Sequence, residues 1–508
     1  MDDAVIVFPP PMDRLDRLYP APHFLCSYLE GQGFQAKTVD LNLAAFLALA
    51  LQEEARLAPG IRSPGGPPPP KSCRDLMDMA LQGIRYTRLY RQGFQAMFGR
   101  LYDTRDLSCQ DLLNQAQGPE MAQMTAMLDP VIRRDIIPAK APVIGFSIPF
   151  SQQLVPAVAL AARIKSLMDG VHICFGGPVI TLTPEPALEE MGRTLPVDSF
   201  VRYEGEAPLA QLVRSLKAGT KGIGKSSGQA HDFNRFGPST LAQMPKGARI
   251  PVRQSTGCYW KRCTFCDYVN LHRDKTYRPR RVERVMSDLG YYIRSGFHHF
   301  RMLTEAIPPD HAMALAKAIL TQLPEIRWHS FIKVDRGFTP EIFNALKQSG
   351  FSFTVGMESV NDRMLALLNK GYDRKTISAF VDNLKAAGFC GNHLNVMVGI
   401  PGERYEDALE TLSFCRDCKE VFAWFKPSRF TLTATSYMGR YPEAFGIRIR
   451  PQNRPHGHDR AGGRLSSLAF DDPSGMDADQ ISAIFKAYEQ LNRSLHQGAE
   501  SGDEKGAA

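Results

Sequence analysis

Short apolar runs separated by stretches of helical spacing recur along two parts of the chain. In the first, "AVIVFPP" reads as a strand closed by a proline turn, "FLCSYLEGQGF" as a helix stopped at Gly31 or Gly33, and "QAKTVDL" as a second strand. "APVIGFSI" and "HICFGGP" are nearly continuous apolar runs, as expected of strands covered on both faces of a parallel sheet. Between them Leu160, Ile164, Leu167 and Met168 keep helical spacing. "DSFVRYEGE" supplies a further strand and "APLAQLVRSLKAG" a helix with a glycine stop. This alternation predicts an α/β, doubly wound (Rossmann-like) domain over residues 1–220. A mostly helical insertion at about 45–140, with the proline-rich "RSPGGPPPP", interrupts it. The Gly/Ser-rich "TKGIGKSSGQAHDFNRFG" places a linker within 221–248.

A second alternation starts at "IPVRQSTG" and runs over 249–440. Its strands are expected in "HHFRMLTEA", "RWHSFIKV", "SFTVGMES", "HLNVMVGIPG" and "SRFTLTAT", with helices between them. That makes about six βα units, too few for a closed eight-stranded barrel and enough for a partial (β/α)6 barrel. In the remainder, 441–508, the pattern dissolves except for one amphipathic helix, "ADQISAIFKAYEQLNRSL", before a tail expected to be disordered.

Composition narrows the class. A hydrophobic share of 44%, with no apolar run long enough to span a bilayer, describes a soluble globular protein. "MDDAVIVFPPP" has no signal-peptide pattern, so the cytoplasm is the expected compartment. A net charge of +8, much of it from "GRYPEAFGIRIRPQNRPHGHDRAGGR", is mild, and neither membrane nor nucleic acid is expected as a partner. Ten cysteines in 508 residues are no disulfide framework; in a reducing compartment, a cluster of them points to metal or catalysis.

Such a cluster exists in "STGCYWKRCTFCDY", where Cys258, Cys263 and Cys266 follow the first strand of the second part. Three chemistries suit it. A structural zinc would take His272 as its fourth ligand. A plant-type iron–sulfur centre begins with this spacing and needs a further cysteine, the next being the distant Cys390. A 4Fe-4S cluster on three thiolates would leave one iron open, as a catalytic metal requires. The rest of the sequence favours the third.

From this loop onward the chain resembles the radical S-adenosylmethionine (SAM) superfamily. Phe265 precedes the last cysteine, where that family keeps an aromatic beside the adenine. Thr304 and Glu305 in "LTEAIPP" fall where it contacts the SAM amino group. Glu358 and Ser359 in "GMESVNDRMLALLNKG" fall at its ribose segment. "VMVGIPGE", with Val398, Gly399 and Gly402, matches the turn whose backbone approaches adenine, and "LTATSYMGRYPEAFGI" resembles its sixth-strand segment. The family mostly spaces its cysteines x3 then x2; here the spacing is x4 then x2. The resemblance implies a 4Fe-4S cluster and SAM as cofactors, with reductive cleavage of SAM to a 5′-deoxyadenosyl radical. A reducing donor such as a flavodoxin or ferredoxin follows from that chemistry. Lys261 and Arg262, inside the loop, are candidates to offset the cluster's charge.

In the first part, no GxGxxG opens a helix after strand one, so a dinucleotide fingerprint is absent. Gly176 and Gly177 in "FGGPVIT" would let a backbone pass close to a flat ligand, and "RYEGEAPL" puts Gly205 between Glu204 and Glu206. The order of these segments is similar to the N-terminal domain of cobalamin-binding radical SAM enzymes. It implies cobalamin held between the two domains, without a histidine as lower ligand because no Asp-x-His-x-x-Gly motif is present. The implied reaction is methyl transfer to an unactivated carbon of a small molecule or peptide. A radical rearrangement or cyclisation without methyl transfer is the alternative, and a zinc-stabilised binding or sensor protein is the non-enzyme one. Cys415 and Cys418 are expected as core or surface thiols, and Cys26, Cys174 and Cys390 as small buried hydrophobes.

Overall fold

Five apolar runs of the first part pair into one parallel sheet: β1 (Ala4–Phe8), β2 (Ala36–Asp40), β3 (Val143–Ser147), β4 (His172–Gly176) and β5 (Ser199–Val201). All five residues of β1 and of β3 are buried, as continuous apolar runs require when helices cover both faces. The strand order is β2-β1-β3-β4-β5. The chain therefore reverses its winding direction between β1 and β3, and doubly wound sheets bind ligands at the carboxyl ends of the strands flanking such a reversal.

The computed structural model describes residues 1–12, 18–56, 71–81, 108–219, 235–450 and 467–497. Most of the expected linker, the proline-rich stretch, the histidines of "RPHGHDR" and the final tail lie outside the described residues. What is described of the insertion is helical: Leu41–Arg56, Cys73–Leu81, Cys109–Ala116 and Pro119–Val131. The residues fall into two compact units, one within Met1–Ala248 and the other within Arg249–Asn453 and Ser467–Ala508.

The second unit holds six parallel strands in sequential order: β6 (Ile250–Arg253), β7 (His299–Leu303), β8 (Arg327–Ile332), β9 (Phe351–Glu358), β10 (Asn392–Val398) and β11 (Phe422–Arg429). Sequential parallel neighbours joined by helices are the partial barrel expected from the sequence. The last strand is displaced from its expected place. "SRFTLTAT" was the β-rich candidate, but β11 lies earlier, in "FAWFKPSR", and only Leu432–Thr433 of the expected segment pairs further. Pro427 argues against a central strand, yet β11 is an edge strand, where a missing N–H costs no ladder bond. The helix Ala478–Gln497 packs beside this strand. Asn492 satisfies the Phe425 backbone twice, accepting from its N–H at 2.9 Å and donating to its carbonyl at 2.7 Å.

Cys26, Cys174, Cys415 and Cys418 are buried, with Cys415 beside the Tyr488 hydroxyl. Cys390 is exposed, against the expectation of a buried hydrophobe, because it sits in the turn entering β10 rather than in the strand.

Candidate functional site

The cysteine loop leaves the carboxyl end of β6 through Ser255–Thr256 and Gly257. Gly257 has φ +74°, and a Cβ there would collide with the Thr276 carbonyl, so the turn that launches the loop demands glycine. Within the x4 stretch Lys261 adopts φ +47°. That turn sends Trp260 across to the segment after β9, where its indole N–H donates to the Asn369 carbonyl at 2.8 Å. The loop is tied down further on. Thr264 donates its N–H to the Leu368 carbonyl at 3.1 Å and its hydroxyl to the Leu367 carbonyl at 2.8 Å, and its own carbonyl accepts from the Met438 N–H at 2.8 Å.

Cys258, Cys263 and Cys266 are partly buried free thiols on this one loop. Burial pushes the Cys263 and Cys266 thiols up from their ordinary value, and each also feels a neighbouring cysteine. Thiols that burial keeps from ionising alone, as at Cys263 and Cys266, suit a cationic metal centre, which deprotonates them on binding. Among the described residues, no three His, Cys, Asp or Glu side chains converge closely enough for a single metal ion. Thiols spaced along one loop suit a cluster that offers each thiolate its own iron.

The other residues of this unit singled out in the sequence lie on the strand ends and loops of the same sheet. Phe265 packs on an apolar cluster that includes Ile400, in the turn after β10. Thr304, just past β7, shares a 2.6 Å hydroxyl hydrogen bond with Ser255. Burial pushes the neighbouring Glu305 carboxyl up to about 7. Glu358 ends β9 at φ +70°, an uncommon conformation for a non-glycine residue, and accepts from the Lys370 ammonium at 3.3 Å. Ser359 is fully buried, its hydroxyl committed to Thr411 and the Asn361 N–H; of the expected ribose pair, only Glu358 keeps a partly accessible side chain.

Val398, Gly399 and Gly402 form the turn after β10, with φ +78° at Gly399 and +72° at Gly402. The Glu403 carboxylate accepts from the N–H groups of Gly399 (2.7 Å) and Ile400 (3.2 Å), which holds the turn from beneath. The C-terminal segment holds it from outside: Asp472 accepts from the Gly402 N–H at 2.8 Å, and Met476 donates its N–H to the Glu403 carbonyl at 3.0 Å.

Sequence reading missed two lysines. Lys333, after β8, and Lys370, after the helix Asp362–Leu367, are only 8% and 5% exposed, whereas Lys261 and Arg262 of the loop are exposed. Burial pushes Lys333 down to about 8, with Lys370 adding to the effect. For Lys370, burial opposes the charge, but Tyr372, Glu358 and Cys263 together hold it above its ordinary value. Strand ends converge only in three dimensions, so no local motif announces these lysines.

In the first unit the two glycines serve the chain itself. Gly177 has φ +104°, and a Cβ there would press on the Ile148 backbone at 2.8–3.0 Å; one on Gly176 would lie 3.3 Å from the Val201 carbonyl. They allow β3, β4 and β5 to close up at their carboxyl ends. Gly205 caps the helix Glu206–Lys217 under Leu25, and Glu204 is partly buried beside it. The reversal point is bordered by aromatic residues that sequence reading also missed. Tyr19 stacks on Phe8 with centroids 4.9 Å apart and meets the 39%-exposed Phe150 edge-on at 6.3 Å. Strand order was the signal that would have found them.

Residues 252–415 match the radical SAM superfamily model, a span from β6 into the helix Tyr405–Asp417. The second unit carries a radical SAM domain. An uncharacterized methyltransferase of Pyrococcus horikoshii is 27% identical over 311 residues, 56% of this chain and 64% of its own length. The ribosomal protein uS12 methylthiotransferase RimO of Desulfotalea psychrophila is 24% identical over 293 residues, 54% of this chain and 62% of its own. The chain thus spans just under two thirds of these curated relatives. Among solved structures, the radical SAM methyltransferase TsrM of Kitasatospora setae, determined with cobalamin and a [4Fe-4S] cluster, is similar with a TM-score of 0.58 at 15% identity, over 97% of this chain and 89% of that one. The cobalamin-dependent SAM radical enzyme OxsB gives 0.57 at 12% identity, over 95% and 66%. At these identities the likeness carries the fold: a Rossmann-like sheet followed by a radical SAM domain. Among the described residues no helix is long and apolar enough to cross a membrane.

Proposed function

We propose that this radical SAM enzyme holds a 4Fe-4S cluster on Cys258, Cys263 and Cys266, binds SAM at the open iron, and uses cobalamin on its first unit to methylate an unactivated carbon. When bound, these groups supply the electron that splits the C–S bond of SAM and the carrier for the methyl group. The chain's own residues position and shield. Phe265 and the turn Val398–Gly402 offer a ring and a glycine-exposed backbone to the adenine, Glu358 a carboxylate to the ribose, and Thr304 and Glu305 polar atoms to the amino group.

The observation that carries the reading is the loop itself: three free thiols on one glycine-launched turn at the carboxyl edge of a parallel sheet. Cobalamin rests on less. The β1/β3 reversal with Tyr19 and Phe150 at its rim supports a flat ligand there, as do the cobalamin-bearing structures of the same fold. Gly176, Gly177, Glu204 and Gly205 shape the neighbouring strand ends. The substrate is a small molecule or peptide, a donor of flavodoxin or ferredoxin type would deliver the electron, and the reducing cytoplasm suits an oxygen-sensitive cluster. Anaerobic reconstitution with iron and sulfide, followed by addition of hydroxocobalamin, tests both halves. About four irons per chain and tight corrinoid uptake are expected; a single zinc overturns the first half, and indifference to the corrinoid overturns the second.

A further inference from the structure

Lys333 presents an unusual combination of burial and surroundings. Its side chain is buried, its ammonium donates to the Val334 carbonyl at 3.3 Å, and it lies between two rings, 4.3 Å from the centroid of Trp260 and 4.6 Å from that of Tyr372. Aromatic faces steady a cation without cancelling its charge, whereas a carboxylate cancels it. Lys370, its neighbour, is cancelled in that way by Glu358. Trp260 belongs to the cysteine loop, three positions before Cys263 and next to Lys261, which adopts φ +47°. Tyr372 is fixed from the other side, its hydroxyl 3.1 Å from the carbonyls of Gly356 and Met357. Both lysines feel Cys263, and Lys333 also feels Cys258.

We propose that Lys333, cushioned by Trp260 and Tyr372, is a positioning charge that raises the reduction potential of the cluster held by Cys258, Cys263 and Cys266. This rests on the cluster reading given above. A thiolate-bound cluster gains negative charge when it accepts an electron, and net charge close by is one of the levers that set its potential. A buried ammonium, whose charge the Asp335 carboxylate offsets in part, favours the reduced form.

The test compares the wild-type chain with K333M, K333Q and K333R. Each is reconstituted anaerobically and titrated electrochemically without SAM, the reduced cluster being read by electron paramagnetic resonance. All are expected to assemble the same iron and sulfide. At a fixed potential the reduced-to-oxidised ratio should fall about tenfold in K333M and K333Q, about 59 mV for one electron, while K333R stays near wild type. Unchanged potentials in both neutral variants overturn the inference and leave the cluster reading standing, even if SAM affinity falls. Loss of the cluster in both neutral variants also overturns it, since the charge would then serve assembly. A wild-type chain that takes up no cluster overturns the underlying reading and the inference with it.

Discussion

The Asp472 carboxylate accepts a hydrogen bond from the Gly402 main-chain N–H at 2.8 Å, joining residues 70 apart. Its other oxygen accepts from Ser474 and Gly475, so the acid is the hub of a small turn whose outward contact is the β10 turn. A charged acceptor on a partly buried N–H contributes about 1.5–3 kcal/mol. Asp472→Ala frees the Val398–Gly402 backbone, and SAM affinity of the reconstituted protein is expected to fall about tenfold, about 1.4 kcal/mol. Calorimetric titration checks this, and unchanged affinity contradicts it.

Gly371 lies under the indole of Trp260 at φ +74°, where a Cβ would fall within the ring. Gly371→Ala therefore combines a left-handed backbone with a displaced tryptophan. A loss on the order of 2 kcal/mol is expected, visible as a lower unfolding temperature and altered indole fluorescence.

Asp288 is almost inaccessible and pairs with Arg280 at 2.7 Å. Arg280 also donates to the Arg253 carbonyl at 2.8 Å, stitching the chain leaving the cysteine loop onto the end of β6. Removing one partner of a buried pair strands the other charge and costs about 3–5 kcal/mol. Asp288→Ala is expected to lower stability by that amount in denaturant titration, more than any exposed pair on this unit.

Much of this was legible beforehand. Strands that sit in the middle of the first sheet announce themselves as nearly unbroken apolar runs, because both faces are buried; "VIGFS" and "AVIVF" are examples. The cysteines and the β10 turn are local in sequence. The rest was hidden for physical reasons. Edge position excused Pro427 and moved the last strand. Lys333 and Asp472 act across distances in sequence that only folding closes, and Asp472 lies in an extension whose pattern had dissolved because its bonds are made through backbone and turn geometry.

Burial pushes the Glu403 carboxyl up to about 7 although the Gly399 and Ile400 N–H groups favour its charged form. A raised acid binds its proton more tightly in the folded state, so its contribution is intact below about pH 4.5 and is lost as pH rises toward 7, at about 1.4 kcal/mol per unit of separation. Glu403→Gln has no proton to lose. Thermal unfolding from pH 5 to 8 should show wild type losing ground to this variant as pH rises, and parallel curves contradict the assignment.

The most direct measurement is the product of SAM under strictly anaerobic reduction. The reconstituted chain with a low-potential reductant should yield 5′-deoxyadenosine, and Cys258→Ala, Cys263→Ala and Cys266→Ala should each abolish it. Equal yields from wild type and the three variants, or none from a wild type carrying its full complement of iron, would contradict the claim that this loop leaves one iron open to SAM.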